Sequence, residues 1–159
     1  MTRKEQYNQL ILQIAELIKD ETNLVGILAN VSAALHDTFP ERFFWVGFYL
    51  QENGNMLRLG PFQGSVAWYT IPFGKGVCGK AWEEGCTLIV PDVEKFPGHI
   101  ACSSLSRSEI VVPMYDDSHT FRGVLDIDST RLNDFNEDDK EGLERIIKLL
   151  MAETQDLFQ

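Results

Sequence analysis

The stretch EIVVPMYDDSHTFRGVLDIDS, residues 109–129, decides the fold class. Glu109 to Tyr115 and Phe121 to Ser129 are dense in apolar and β-branched types, and Asp116-Asp117-Ser118-His119-Thr120 between them has the composition of a hairpin turn. Strand side chains alternate between faces, so Asp126 and Asp128 share one side of the second strand while Leu125 and Ile127 share the other. Two carboxylates thus interrupt an otherwise apolar strand.

Outward from this hairpin the chain keeps the same style. RFFWVGFYL, residues 42–50, reads as an earlier strand that turns at Asn53-Gly54 and returns over residues 56–59. Period two puts Phe43, Trp45, Gly47 and Tyr49 on one face and Phe44, Val46, Phe48 and Leu50 on the other. One face must be core, and the other is free to line a pocket. A short strand at residues 67–71, a brief helix at 77–84 closed by Gly85, and a strand at 86–90 ended by Pro91-Asp92 follow. Residues 91–108 show little regular pattern, and a long irregular loop inside a compact domain is usually functional or disordered.

Helices are expected at both ends. Thr2 and Glu5 form a capping-box pattern before Tyr7, Leu10, Ile11, Ile14, Leu17 and Ile18, which recur at helical spacing up to about Lys19. A second helix starts after the cap candidate Thr22 and stops before Pro40. Asn136 caps the last, with Glu137, Asp138 and Asp139 at its positive end and Leu143, Ile146, Ile147 and Leu150 facing inward. Hairpin strands between terminal helices predict one α+β domain over residues 1–159, an antiparallel sheet with the N- and C-terminal helices packed on one face.

Composition narrows the partners. A net charge of −10, from 24 acidic and 14 basic residues, argues against nucleic acid and anionic membranes. No apolar run approaches the roughly 18 residues of a membrane span, and MTRKEQYNQL lacks the apolar core of a secretion signal, so a cytoplasmic protein is expected. Three cysteines, an odd number in a reducing compartment, do not make a disulfide framework.

Reactive thiols are the alternative. Cys78 follows Gly74 and Gly76 at the start of the short helix, where unpaired N–H groups and the helix dipole favour a thiolate. Cys102 lies in the irregular loop, in PGHIAC, before the strand that opens at Glu109. Cys86, in a strand setting, reads as a small buried hydrophobe. Cys78, Cys86, Cys102 and His99 lack the close ligand spacing of structural zinc, so no metal is expected. Two thiols beside Glu109, Asp126 and Asp128 suit thiol redox chemistry on a small polar substrate.

The run Leu59-Gly60-Pro61-Phe62-Gln63-Gly64, followed by GKGVCG (74–79), VPDV (90–93), FPGHIAC (96–102), SEIVVP (108–113) and GVLDIDS (123–129), resembles the free methionine-(R)-sulfoxide reductases, enzymes on the GAF fold. The resemblance implies that Cys102 attacks the sulfoxide sulfur and becomes a sulfenic acid, that Cys78 condenses with it to a disulfide, and that thioredoxin restores both thiols without a bound cofactor. It places the family's third cysteine on Trp68, which marks a two-cysteine variety, and puts Ser103 where the family often has Asp. The helix position of Cys78 alone suggests the reverse order of attack.

The same resemblance makes Glu109, Asp126 and Asp128 substrate-binding acids, with Glu109 on the ammonium, Asp128 on the sulfoxide oxygen and Asp126 shared. Trp45 and Tyr49 match its aromatic positions and would wall the methyl group. Backbone N–H groups at Gly76, Val77 and Cys78 offer a place for the substrate carboxylate. His99, within PGHIAC, reads as a residue that orients the loop or acts as a base, and the structural role is preferred because no partner residue is evident from sequence. A ligand-sensing GAF module is the rival reading, a dimerisation domain built on the terminal helices is another, and a homodimer is compatible with catalysis.

Overall fold

The computed structural model describes residues 1–100 and 103–158. The chain opens with α1 (Arg3–Ile18), whose first turn is closed by the expected capping box: the Thr2 hydroxyl accepts the Glu5 N–H at 3.1 Å. α2 (Leu24–Thr38) is capped one residue later than the sequence suggests. The Asn23 side chain takes the Gly26 N–H at 3.1 Å, because Thr22 and Asn23 have both turned their own N–H groups onto the Glu21 carboxylate.

Strands β1 (Trp45–Glu52), β2 (Met56–Gln63) and β3 (Thr70–Pro72) precede the short helix α3 (Gly76–Glu84), and β4 (Leu88–Val90), β5 (Ser108–Tyr115), β6 (Phe121–Ser129) and α4 (Glu137–Thr154) follow. The strands form one antiparallel sheet in the order β3-β2-β1-β6-β5-β4. This is the expected α+β arrangement. No described helix is long and apolar enough to cross a membrane.

β1 begins at Trp45 and not at Arg42, because Arg42 and Phe43 donate their N–H groups back to the Phe39 carbonyl in a turn after α2. That turn breaks the period-two extrapolation. Phe43 is buried with the helices, on the side opposite Trp45 and Tyr49. β2 runs past Gly60-Pro61 to Gln63, since a register shift opposite Phe48 takes up the proline that a regular ladder would reject.

The sheet separates two apolar layers. On one side Val46, Phe48, Ile110, Val112, Leu125 and Ile127 meet Tyr7, Leu10, Leu28, Val31, Leu143 and Ile146 from α1, α2 and α4. On the other, Trp45, Tyr49, Val111 and Val124 lie with Val77, Cys78 and Ala81 of α3. Strand alternation sends every second residue of β5 and β6 to the α3 side, and among them are the three acids.

Candidate active site

Cross-strand register assembles the acids. Asp128 lies opposite Trp45 on β1 and Glu109 on β5, and Asp126 lies opposite Gly47 and Val111. Gly47 is required by its surroundings, because a Cβ there would stand 2.2 Å from the Cβ of Phe62. α3 closes over these rows. It starts at Gly76 in a left-handed conformation (φ 62°) that L side chains rarely adopt, and it has no side-chain cap, which leaves its first N–H groups available to an anion.

Glu109, Asp126 and Asp128 are 5%, 3% and 6% exposed, and they enclose a space of about 10 Å³ with Cys78, Val77, Ile71, His99 and Ile100. That is room for one water. The Cys78 sulfur and single carboxylate oxygens of Glu109 and Asp126 all lie within 4.8 Å of one another. The Cys78 thiol donates to Asp126, and Asp126 in turn donates to Glu109. The other Asp126 oxygen, Oδ1, is buried with no hydrogen-bond partner.

Three carboxyls in a dry space cannot all ionise. Burial and the facing Asp128 charge push Glu109 up to about 8, against the opposing pull of the Asp126 hydrogen bond. Burial first, then Glu109, raises Asp126 well above the carboxylate range, and burial with Asp126 does the same to Asp128. The His99 Nε2 stands 3.5 Å from Glu109, yet burial lowers the pKa of the imidazole while that of the acid rises. Both shifts work against an ion pair between them.

The thiolate expected at Cys78 is overturned. Burial, followed by the charges of Asp126, Glu109 and Asp128, drives its thiol well above the ordinary value. A helix end contributes only about half a charge, and three buried carboxyls outweigh it. Cys86 departs from expectation in the other direction: β4 begins only at Leu88, and Cys86 is exposed.

The structure brings Cys78, Val77, Glu109, Asp126 and Asp128 together. Trp45 and Tyr49 share the apolar cluster of Cys78 but do not line the cavity, whose apolar wall is Ile71, Val77 and Ile100. They hold a loop instead: the Trp45 Nε1–H donates to the Ser65 carbonyl at 2.9 Å and the Tyr49 hydroxyl to the Trp68 carbonyl at 3.1 Å. The Trp68 side chain is 55% exposed and does not close the cavity. Cys102 lies outside the described residues. Ser106 and Ile71 also line the space, and nothing in their local sequence marks them.

No protein-family model matches the chain. It is 56% identical over 149 residues to GAF domain-containing protein A of Dictyostelium discoideum, covering 94% of this chain and 92% of that protein. It is 42% identical over 155 residues to the free methionine-R-sulfoxide reductase of Saccharomyces cerevisiae, covering 94% and 86%. The X-ray structure of free methionine-R-sulfoxide reductase from Neisseria meningitidis in complex with its substrate superposes with a TM-score of 0.93 at 46% identity, over 98% of this chain and 92% of that one.

Proposed function

The chain belongs to the free methionine-R-sulfoxide reductase family, oxidoreductases on the GAF fold, and we propose that its buried acid–thiol site reduces free L-methionine-(R)-sulfoxide to methionine. The observation that carries this reading is the enclosure of Cys78 with three buried carboxyls whose proton affinity is raised by burial and by one another. Oxide is not a viable leaving group, so sulfoxide reduction needs both a sulfur nucleophile and a proton for the oxygen.

Substrate binding changes the charge balance of the site. The ammonium group favours ionisation of the carboxyl it meets, here assigned to Glu109, while Asp128 keeps a proton for the sulfoxide oxygen and Asp126 is shared between them. The substrate carboxylate sits at the uncapped N–H groups of Gly76, Val77 and Cys78. The methyl group lies against Ile71, Val77 and Ile100. A cavity that holds one water must widen to admit an amino acid.

Cys102 attacks the sulfoxide sulfur, the oxygen passes to the cysteine as a sulfenic acid, and methionine leaves. The Cys78 thiol then attacks the sulfenic sulfur, forming the Cys78–Cys102 disulfide and releasing water, whose two hydrogens are the one already on the sulfenic oxygen and the one given up by the thiol. Thioredoxin reduces the disulfide by exchange and leaves oxidised. The upward shift of the Cys78 thiol, from burial and the neighbouring carboxyls, disfavours Cys78 as the first nucleophile and so supports this order.

The test is NADPH oxidation coupled through thioredoxin and its reductase, with the (R) and (S) epimers of free methionine sulfoxide offered separately and dithiothreitol as the alternative reductant. Turnover of the (R) epimer alone is expected. Silence with both epimers and both reductants would overturn the reading.

A further inference from the structure

The spacing of cysteines along the chain argued against a metal, but the fold brings together a different set of donors. We propose that this chain binds one thiophilic divalent cation, of which zinc(II) is the representative, through Cys78 Sγ, Glu109 and Asp126, with His99 Nε2 as the fourth donor, and that the bound ion shuts the site. The inhibition half rests on the reductase reading; the binding half does not.

Three observations converge on it. One sulfur and two carboxylate oxygens stand within 4.8 Å of one another and are all buried. Donors on a tetrahedral zinc ion, with bonds of about 2.0–2.3 Å, stand roughly 3.3–3.8 Å apart, so rotamer adjustments of about an ångström close these three, and His99 completes the set by a larger swing of its side chain. Asp126 lines this cavity, and its Oδ1 is buried and unpartnered, which is costly in a folded protein unless something is to bind there. His99, its side chain 12% exposed, lines the same cavity with Nε2 3.5 Å from Glu109.

The donor set is one sulfur, two oxygens and one nitrogen, which suits zinc and excludes magnesium and calcium, whose sites are all oxygen. Coordination displaces the thiol proton and leaves Cys78 as a metal-bound thiolate. No electron moves, so the step is reversible by a chelator. A cation here neutralises the acids that the substrate ammonium would otherwise meet, and ties up the thiol that would resolve the sulfenic acid.

Zinc chloride is titrated into the reduced full-length chain against a chromophoric zinc chelator. One ion per chain is expected, with affinity lowered about tenfold or more in Cys78→Ser and Asp126→Asn and unchanged in Cys86→Ser, the exposed thiol. Cobalt(II) supplies a readout independent of the variants' folding: a thiolate-to-cobalt charge-transfer band should appear in the wild-type chain and in Cys86→Ser. Equal zinc affinity in Cys78→Ser, or no such band in the wild type, would overturn the proposal. Free methionine sulfoxide should weaken the apparent zinc affinity. If zinc binds as described and the sulfoxide does not displace it, the metal site stands and the reductase reading fails.

Discussion

Glu109 on β5 stands directly across from Asp128 on β6, and both carboxyls are buried. Like charges in facing positions of a sheet repel, and burial adds a solvation cost to each charge, so this pair is stable only while it keeps protons. The proposed reaction would use that constraint, since a carboxyl that resists ionisation is the acid a sulfoxide oxygen needs.

The same pair fixes how stability depends on pH. Glu109 rises from 4.5 to about 8 on folding, so between those values the folded chain binds more protons than the unfolded one. Its contribution is fully present below about 4.5 and is lost as pH rises through about 8, with a ceiling on the order of 5 kcal/mol for this group alone. Asp126 and Asp128 move in the same direction. Urea denaturation across this range should show stability falling toward alkaline pH, and Glu109→Gln, which stays neutral, should flatten the slope. A wild-type stability that rises through neutral pH would show that the acids are ionised in the folded state.

Single-turnover chemistry separates the two cysteines. Cys78→Ser should still release about one methionine per chain from free methionine-(R)-sulfoxide while losing thioredoxin-dependent turnover, because only the resolving step is gone. Cys102→Ser should release none. Quantifying methionine after rapid quenching distinguishes this from the opposite assignment, in which Cys78→Ser would abolish the first release.

The acids should divide kinetically. Asp128→Asn cannot donate a proton and should lower kcat by about 10²–10⁴, the usual worth of a general acid, with a smaller effect on KM. Glu109→Gln removes the assigned ammonium partner and should mainly raise KM. Steady-state kinetics on the free (R) epimer decide it, and the reverse pattern would exchange the two roles.

Much of this site was legible because strand alternation is local. Asp126 and Asp128 fall on one face by counting, and the Asn136 cap reads directly from the residues after it. Glu109 joins them through the β5–β6 register, which the hairpin turn fixes. The state of Cys78 was not legible, since its nearest neighbours in sequence are glycines and the helix end, whereas the charges that govern it arrive from distant strands. Phe43 changed sides for a similar reason: a turn closed on Phe39 resets the alternation just before β1. Nor does Asp139 announce more than a capping residue.

In the fold, Asp139 ties three parts of the chain together. Its side chain is fully buried and accepts hydrogen bonds from the Tyr7 hydroxyl at 2.6 Å, Arg3 at 2.8 Å, Arg42 at 2.9 Å and the Asn136 N–H at 2.9 Å, joining α1, the turn before β1 and α4. The Arg42 guanidinium also lies over the rings of Phe39, Phe43 and Phe135, and its Nη1 is buried with no hydrogen-bond partner. Removing the Asp139 charge leaves the Arg42 cation, 12% exposed, with Asp134 at 3.2 Å as its remaining counter-charge and one of its two buried pairs broken. Asp139→Asn should therefore cost about 3–5 kcal/mol, the usual penalty for breaking a buried pair on one side, whereas Tyr7→Phe should cost only about 1–3 kcal/mol for one lost hydrogen bond to a charged group. Urea melts of both variants at neutral pH give the comparison. Asp139 lies on the helix side of the sheet and outside the residues lining the acid–thiol cavity, so Tyr7→Phe should keep wild-type turnover while losing stability. If Asp139→Asn costs no more than Tyr7→Phe, the network is solvated and the helices are held by apolar packing alone.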